Sequence, residues 1–209
     1  MTKADRLRGL YAVTDPGLVP REALGEAVAA AIRGGARIVQ YRDKTATEGE
    51  RLGTARRLAE VCRRAGVLFI VNDDPGLAAE VGADGVHLGR EDAAMEEARA
   101  LLGAEAVIGV SCYTDLERAR RAAAAGADYV AFGRFFPSRT KPDAAQATPD
   151  LLEQARRELD LPVVAIGGIT PENGAALISA GADMLAVVHA LFGQPNIEAA
   201  ARRFTRLFG

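Results

Sequence analysis

The chain has 209 residues, 49% of them apolar and 26% charged, so it can bury one substantial core but not two large ones. Its formal net charge of −2 excludes the strong basic bias typical of proteins that bind nucleic acid or anionic membranes. Two isolated cysteines, no signal-peptide pattern and no apolar run of about 20 residues predict a cytoplasmic protein without a membrane segment, folded as a single domain over residues 1–209.

Eight short runs of strand-forming residues recur along the chain, separated by alanine- and arginine-rich segments with helical spacing. The runs are LYAVTD, RIVQYRD, LFIVND, GVHLG, VIGVSCY, YVAFGRFF, PVVAIGG and MLAVVHAL. The segments GGARIV, GADGVHL, GADYVAF and GADMLAV repeat a glycine that ends a helix before a short turn into the next strand. This alternation predicts an α/β fold, a single (β/α)8 TIM barrel, in preference to an open doubly wound sheet.

Four helix starts carry capping patterns. Thr47–Glu50 and Thr114–Glu117 match the capping box, in which a threonine and a glutamate satisfy each other's backbone N–H groups. Thr148–Pro149 and Thr170–Pro171 place proline at the first helical position after a threonine cap. Helices are therefore predicted to begin after each of these threonines.

The second run ends in cations. In a TIM barrel the chemistry lies at the carboxyl ends of the strands, so the residues that follow each strand are candidates for the site. Gln40, Arg42 and Lys44 would share one face of this strand by its period of two. The two cations indicate an anionic ligand; the alternative is a solvated strand end paired with nearby acids.

Acids follow the third and fourth runs. Asn72 and Asp73 come directly after the third, and Asp92 follows the fourth. Because neighbouring strands lie about 4.8 Å apart, Asp73 and Asp92 can reach one cation. Mg²⁺ is the candidate, since it prefers one or two carboxylates together with substrate phosphates. The adjacent Asp74 and Glu91 are interpreted as helix-start and loop acids.

The fifth and sixth runs are followed by hydroxyl groups and cations. Ser111 is a candidate hydrogen-bond donor, whereas Cys112 lacks an evident activating base and is assigned to packing. The loop at residues 137–149 contains Ser138, Thr140 and Lys141, which suit an oxygen-rich ligand. Such a loop could cover a bound anion as a lid, or it could be an ordinary solvated loop.

The last two runs end at small or ambiguous residues. The pair Gly167–Gly168 would let backbone N–H groups approach a phosphate, although tight turns use the same residues. His87, on the fourth run, is expected to point into the barrel as a hydrogen-bonded core histidine more readily than to act as a base. His189, assigned to the eighth strand, is ambiguous.

Seven motifs in series resemble the thiamine phosphate synthase family, and the resemblance covers essentially the full chain. They are VQYRDK, VNDD, GVHLGRED, IGVSCY, GADYVAFGRFFPSRTKP, VVAIGGIT and VVHALFG. The resemblance implies that 4-amino-2-methyl-5-hydroxymethylpyrimidine pyrophosphate condenses with 4-methyl-5-hydroxyethylthiazole phosphate. The products would be thiamine monophosphate and pyrophosphate, and Mg²⁺ would be the cofactor.

The resemblance also assigns roles to residues. It implies that Asp73 and Asp92 bind the metal, and that the pyrophosphate contacts are Arg42, Lys44, Asn72 and Lys141. Its pyrimidine contacts are Gln40 and Ser111, its loop hydroxyls are Ser138 and Thr140, and its thiazole phosphate wall is Gly168, Val188 and His189. Catalysis is assigned to Lys141, Ser111, Arg42 and Lys44. The family commonly has Thr at position 138 and Ser at position 189, so a side-chain contact from His189 is not implied.

Two other readings stay open. A thiazole tautomerase on the same barrel would aromatise the thiazole phosphate by proton transfer and would have little use for both aspartates. A non-catalytic sensor of phosphate ligands belongs to a different class, since a fold alone does not confer activity. The partners expected are small-molecule substrates, with neither nucleic acid nor membrane. The oligomeric state and the choice of divalent ion are not determined by the sequence.

Overall fold

A computed structural model describes residues 3–89, 93–137 and 146–209, apart from the side chains of residues 4, 93 and 94. The strands are β1 Gly9–Val13, β2 Ala36–Tyr41, β3 Leu68–Asn72, β4 Gly85–Leu88, β5 Val107–Tyr113, β6 Tyr129–Gly133, β7 Val163–Ile166 and β8 Met184–Val187. The helices are α1 Lys3–Arg6, α2 Leu24–Arg33, α3 Glu48–Ala65, α4 Pro75–Val81, α5 Ala93–Leu102, α6 Leu116–Ala124, α7 Pro149–Glu158, α8 Gly174–Ser179, α9 His189–Phe192 and α10 Ile197–Thr205. A 3₁₀ turn, Arg206–Phe208, follows α10.

The eight strands form a closed parallel barrel in sequence order. Closure occurs where β1 pairs with β8, with Gly9 opposite Met184 and Ala12 opposite Val187. All eight predicted strands are present and the predicted TIM barrel is confirmed, so the open-sheet alternative is wrong. Within the described ranges, no helix is both long and apolar enough to cross a bilayer.

Side chains divide between two buried layers because successive residues of a strand point to opposite faces. The inner layer fills the barrel and includes Tyr11, Ile38, Ile70, Tyr129 and Val164. The larger outer layer lies between the strands and the helices and includes Tyr41, Phe69, Val86, Cys112 and Phe132. The prediction that Cys112 is a packing residue is therefore confirmed.

Two of the predicted helix starts are confirmed. Thr47 caps α3 in a complete capping box: its side chain accepts from the Glu50 N–H at 3.4 Å, and the Glu50 carboxylate accepts from the Thr47 N–H at 2.8 Å. Helix α7 begins at Pro149, directly after Thr148, as its proline predicts.

The other two helix starts were placed wrongly. Asp115, not Thr114, caps α6, and its carboxylate accepts from the Arg118 N–H at 3.0 Å. An aspartate carboxylate is at least as good a cap as a threonine hydroxyl, and it stands one residue later. Helix α8 begins only at Gly174, because Thr170 starts a turn in which its own N–H donates to Asn173 Oδ1 at 2.8 Å.

The repeated Gly-Ala-Asp segments join neighbouring strands at the amino-terminal end of the barrel. Asp84 accepts from the Phe69 N–H at 2.8 Å, Asp128 from the Ile108 N–H at 2.8 Å and Asp183 from the Val163 N–H at 2.9 Å. In each case the carboxylate that precedes one strand binds the start of the strand before it in sequence. The sequence showed these segments as turns, but not this role of the aspartate.

Candidate active site

A cavity of about 440 Å³ opens at the carboxyl end of the barrel. Its lining includes Tyr11, Thr14, Asp15, Gln40, Arg42, Asn72, His87, Ser111, Tyr113, Arg134, Pro137, Gly167, Gly168, Val188 and His189. Seven of the predicted site residues are in this set: Gln40, Arg42, Asn72, Ser111, Gly168, Val188 and His189. The strand ends therefore converge on one volume, as the barrel geometry predicts.

Five side chains of the barrel interior form one continuous series of hydrogen bonds, called here the polar chain. Gln40 Nε2 donates to the Tyr11 hydroxyl at 2.8 Å, and the Tyr11 and Tyr129 hydroxyls lie 2.7 Å apart. Tyr129 is 3.0 Å from His87 Nδ1, and His87 Nε2 is 2.9 Å from Ser111 Oγ. Both ends of the polar chain, Gln40 and Ser111, line the cavity.

Burial keeps the polar chain uncharged. Desolvation lowers the pKa of His87 to about 4, although the charge of Asp73 opposes this shift. Desolvation also raises the pKa values of Tyr11 and Tyr129. At neutral pH the imidazole and both phenols are therefore neutral. The expectation of a hydrogen-bonded core histidine that points into the barrel is confirmed.

The loops after β6 and β7 meet at the glycine pair. A Cβ atom on Gly167 would lie 2.3 Å from Arg134 Cβ, and one on Gly168 would lie 2.5 Å from the Pro137 carbonyl oxygen. Both glycines have positive φ, 104° and 66°. Only glycine permits this close approach of the two loops without strain. The Gly167–Gly168 pair therefore shapes the cavity wall opposite β2 and β3.

His189 and Val188 follow β8, and the predicted strand is shorter than expected. Val187 is the last residue of β8, Val188 is the N-cap of the short helix α9, and His189 is the first residue of that helix. The assignment of His189 to strand eight was therefore wrong. Both residues still line the cavity.

A second cavity of about 300 Å³ lies beside the first, and Asn72 lines both. Lys44, Asp73 and Asp74 line the second cavity. Lys44 is thus separated from Arg42, which lines the first. The predicted common face of Gln40, Arg42 and Lys44 was wrong at Lys44, because β2 ends at Tyr41 and its alternation does not extend that far.

Asp73 lines the second cavity and contacts two neighbouring side chains. Its Oδ2 accepts from Asn72 Nδ2 at 2.8 Å and lies 3.4 Å from Lys44 Nζ. A Cβ atom on Gly89 would lie 3.3 Å from Asp73 Oδ1, so this oxygen faces the end of β4. The residue has φ of 60°, in the left-handed region that aspartate adopts more readily than most residues. Asp73 therefore presents one carboxylate oxygen toward the carboxyl end of β4.

Four predicted site residues, Asp92, Ser138, Thr140 and Lys141, lie outside the described residues. The described residues on either side of residues 138–145 lie at or next to the cavity. Pro137 lines it, the Ala147 N–H donates to the Arg134 carbonyl at 2.7 Å, and Gln146 Nε2 donates to the Phe135 carbonyl at 2.9 Å.

Sequence reasoning missed four residues of this site. Tyr11 and Tyr129 complete the polar chain, and Thr14 Oγ1 accepts from the Arg42 N–H at 3.0 Å. Arg118 donates from Nε to the Ser111 carbonyl at 2.8 Å and from Nη2 to the Gly89 carbonyl at 2.7 Å. The phase of the strand pattern could have found the tyrosines, since Tyr11 shares a face with Val13, and Tyr129 with Ala131.

Comparisons with known proteins agree with this geometry. The family model described as thiamine monophosphate synthase matches residues 10–191. A thiamine-phosphate synthase of Alcanivorax borkumensis is 55% identical over 206 residues, which cover 97% of this chain and 95% of that protein. One of Nitrosococcus oceani is 52% identical over 202 residues, covering 97% of this chain and 93% of that protein.

A solved structure shares the whole fold. Thiamine phosphate pyrophosphorylase from Pyrococcus furiosus superposes with a TM-score of 0.89 at 34% identity, covering 99% of this chain and 98% of that one. The family match and the two relatives span nearly the whole barrel, including the strand ends that build the cavity. The chain therefore belongs to the thiamine monophosphate synthase family.

Proposed function

We propose that this chain joins 4-amino-2-methyl-5-hydroxymethylpyrimidine pyrophosphate to 4-methyl-5-hydroxyethylthiazole phosphate, giving thiamine monophosphate and pyrophosphate. One observation carries the proposal: Asn72 lines both the cavity that contains the uncharged polar chain and a second cavity, called here the rim, that contains Lys44 and Asp73. A neutral heteroaromatic ring that bears a pyrophosphate matches this arrangement, with the ring in the first cavity and the pyrophosphate at the rim.

The inner wall of the cavity suits the pyrimidine. Gln40 and Ser111 offer hydrogen-bonding groups at the two ends of the polar chain, and Ala131 and Ile166 add apolar surface. Because Gln40 is 5% exposed and His87 is 8% exposed, a ring that enters here loses contact with water. Hydrogen bonds made in such a setting orient a ligand strongly, since an unpaired polar atom would be costly.

The rim suits the pyrophosphate and Mg²⁺. Lys44 and Asp73 form an exposed ion pair, with side chains 62% and 43% accessible, and such pairs contribute about 0–1 kcal/mol. The pair therefore separates at little cost when a ligand offers each partner a stronger contact. Asp73, together with Asp92, would hold the ion, and bound Mg²⁺ would neutralise part of the pyrophosphate charge.

The reaction needs positioning more than it needs a base. The bond between the pyrimidine methylene carbon and the pyrophosphate oxygen breaks, and its electron pair stays on that oxygen. The thiazole nitrogen then forms a bond to the same carbon. Arg42, Lys44 and Lys141 are proposed to stabilise the charge that grows on the leaving oxygen, while the cavity holds the nitrogen at contact distance. Neutral His87 fits this scheme, since both its ring nitrogens are engaged within the barrel.

The thiazole phosphate is proposed to lie against the opposite wall. Gly168, Val188 and His189 line that side, and both Gly167 and Gly168 have positive φ. Backbone N–H groups at the loops after strands seven and eight commonly bind phosphate in TIM barrels. The two substrates would then meet above Ser111 and Arg42.

A coupled assay tests the proposal against its rivals. The protein is incubated with both substrates and Mg²⁺, and thiamine monophosphate and pyrophosphate are measured together. Equal amounts of both products are expected, with none in the presence of a chelator. Isomerised thiazole phosphate without coupling would instead identify a tautomerase. Binding of either substrate without turnover would identify a sensor.

A further inference from the structure

The two tyrosines of the polar chain are buried, although Tyr11 and His87 contribute to the cavity lining. Tyr11 is 1% exposed and Tyr129 is not exposed at all, while Gln40 and Ser111 both reach the cavity. Water has little access to the two tyrosines, so each of their hydroxyls is expected to donate one hydrogen bond and accept another from its neighbours. The five groups therefore orient one another.

Two orders of donors satisfy every link, and the structure has the one in which the Gln40 amide nitrogen donates. Because Gln40 Nε2 donates to Tyr11, the Tyr11 hydroxyl donates to Tyr129, which in turn donates to His87 Nδ1. A neutral imidazole then carries its proton on Nε2 and donates to Ser111 Oγ. The Ser111 proton and the Gln40 carbonyl oxygen are left for the cavity. Turning the Gln40 amide over would require every other link to reverse.

The barrel is built to accommodate this arrangement. A Cβ atom on Gly109 would lie 1.9 Å from Tyr129 Cζ, so glycine is required opposite the tyrosine ring. The ring stacks on His87 with centroids 5.6 Å apart and meets Tyr11 edge-on at 6.0 Å. Three polar aromatic side chains thus occupy a layer that branched aliphatic residues usually fill in such barrels.

We propose that Tyr11, Tyr129 and His87 are positioning residues that couple Gln40 to Ser111, fix an acceptor at Gln40 and a donor at Ser111, and thereby select an amino-substituted over an oxo-substituted pyrimidine. This inference rests on the proposed function for the identity of the ring. A 4-aminopyrimidine offers an N–H donor beside a ring-nitrogen acceptor. A 4-oxopyrimidine offers the reverse, a carbonyl acceptor beside a ring N–H.

Binding measurements test the coupling separately from the reaction. The probes are the 4-amino and 4-oxo forms of 2-methyl-5-hydroxymethylpyrimidine monophosphate, whose dissociation constants are measured without thiazole phosphate. Binding is compared rather than turnover because the amino group also affects the chemistry. The unaltered protein is expected to prefer the amino form by about 100-fold or more, since a site that must leave polar atoms unpaired rejects a ligand strongly.

Deleting one tyrosine hydroxyl of the polar chain should uncouple the orientation of Gln40 from that of Ser111. In Tyr11→Phe, Gln40 can turn its amide to suit either ligand, and the preference should fall about tenfold, which is about 1.4 kcal/mol. Tyr129→Phe should lower it similarly. Tyr41→Phe is the matched control, because it deletes a hydroxyl from another buried tyrosine, which lines the second cavity but not the first. Any effect should be equal for both probes and leave the preference unchanged.

The imidazole gives a second readout. The chain has two histidines, so ¹⁵N NMR of a histidine-labelled sample contains few signals, and loss of a signal in His87→Gln assigns His87. With the amino ligand bound, the proton is expected on Nε2. Tyr11→Phe should keep that tautomer, because Tyr129 can still donate to Nδ1, whereas Tyr129→Phe should lose it.

Two results would overturn the inference: an unchanged preference in both tyrosine variants, or a ligand-bound His87 with its proton on Nδ1. Neither the binding measurement nor the NMR measurement requires turnover. If the protein bound both probes but made no thiamine monophosphate, the proposed function would fail while the coupling could still be confirmed or rejected.

Discussion

Asp73 and Asp74 are adjacent carboxylates whose surroundings give them different uses. Asp74 caps α4, accepting from the Leu77 N–H at 2.8 Å, and also pairs with Arg51. Asp73 accepts one hydrogen bond from the neighbouring Asn72 and faces Gly89. Asp74 is therefore a helix-start acid, as the sequence predicted, whereas metal binding by Asp73 stays a prediction.

Replacing either proposed metal ligand should slow the enzyme without unfolding it. Asp73→Asn and Asp92→Asn keep the size of the side chain but remove a negative charge. Each is expected to lower kcat by about 10² to 10³, the usual cost of one well-placed electrostatic contact. Excess Mg²⁺ should partly restore the rate. Initial rates measured over a range of Mg²⁺ concentrations check this.

The double variant and a neighbouring control make this prediction specific. Because both side chains would act on one ion, the double loss should be smaller than the product of the single losses. Asp74→Asn keeps a good capping residue and should be nearly silent. If both single variants kept the rate of the unaltered protein and an unchanged requirement for Mg²⁺, the metal assignment would be wrong. Asp73 and Asp92 would then be solvated loop acids.

The buried imidazole of His87 should make the fold sensitive to acid. Between pH 6.5 and about 4 the unfolded chain takes up a proton at this residue that the folded chain does not. The unfolded state then binds more protons, so the free energy of unfolding falls as the pH falls through this window. The expected loss is about 3 kcal/mol from a shift of about 2.5 pH units.

Urea unfolding at a series of pH values from 7.5 to 4 measures this effect. His87→Gln removes the titrating group, so its stability should depend less steeply on pH across the window. Slopes are compared rather than absolute values, because the substitution also interrupts the polar chain. Parallel curves for the two proteins would show that His87 is not the group responsible.

At the scale of elements, α6 holds two strand ends in place through one side chain. Arg118 is 8% exposed. It donates to the Ser111 carbonyl, near the carboxyl end of β5, and to the Gly89 carbonyl, just after β4. It thereby ties the helix to the backbone beside both the polar chain and the proposed metal site. The arginine supports the site without lining the cavity.

Arg118→Met should destabilise the protein and disturb the site. The substitution keeps most of the apolar stem but removes charged donors from two backbone carbonyls. The expected loss is about 2 kcal/mol of unfolding free energy, since hydrogen bonds to charged groups contribute about 1.5–3 kcal/mol each and water can partly replace them. Urea unfolding checks it. Arg121→Met, on the exposed side of the same helix, is the control and should cost less than about 0.5 kcal/mol.

The sequence predicted which segments form strands and helices, but it predicted where those elements begin and end less accurately. The eight strands follow from β-branched runs between glycine turns, and Thr47 and Pro149 mark their helices correctly. The errors at Thr114 and Thr170 share a cause. Each depends on which of several adjacent polar groups binds the backbone, and that choice is decided by the three-dimensional turn rather than by residue type. The error at Lys44 arose because β2 ends at Tyr41.

For the whole molecule, the sequence predicted which strand ends converge but not how the interior connects them. Gln40 and Ser111 were identified one by one, each on its own strand. Their connection passes through Tyr11, Tyr129 and His87, on three further strands. Such a link depends on the closure and register of the barrel. A pattern within any single strand cannot show it.

The two ends of the barrel separate stability from chemistry. At the amino-terminal end, Asp84, Asp128 and Asp183 accept from N–H groups of the first or second residue of β3, β5 and β7. At the carboxyl end, the polar side chains are left for the cavity. In TIM barrels the first of these ends is associated with stability and the second with catalysis.

Asp183→Ala should therefore weaken the fold while the enzyme, once folded, keeps its rate. The carboxylate accepts from the Val163 N–H at 2.9 Å, and its pairing with Arg156 at 3.6 Å is too exposed to contribute much. Losing the acceptor should cost about 1–2 kcal/mol, or roughly 2–8 °C in Tm for a chain of this size. Asp183→Asn retains an acceptor oxygen and should cost less than half as much, while the exposed Asp160→Ala should be silent. Thermal unfolding and kcat/KM at 25 °C would be measured on the same samples. A variant with normal Tm but reduced kcat/KM would contradict the separation, because the amino-terminal end would then contribute to the chemistry.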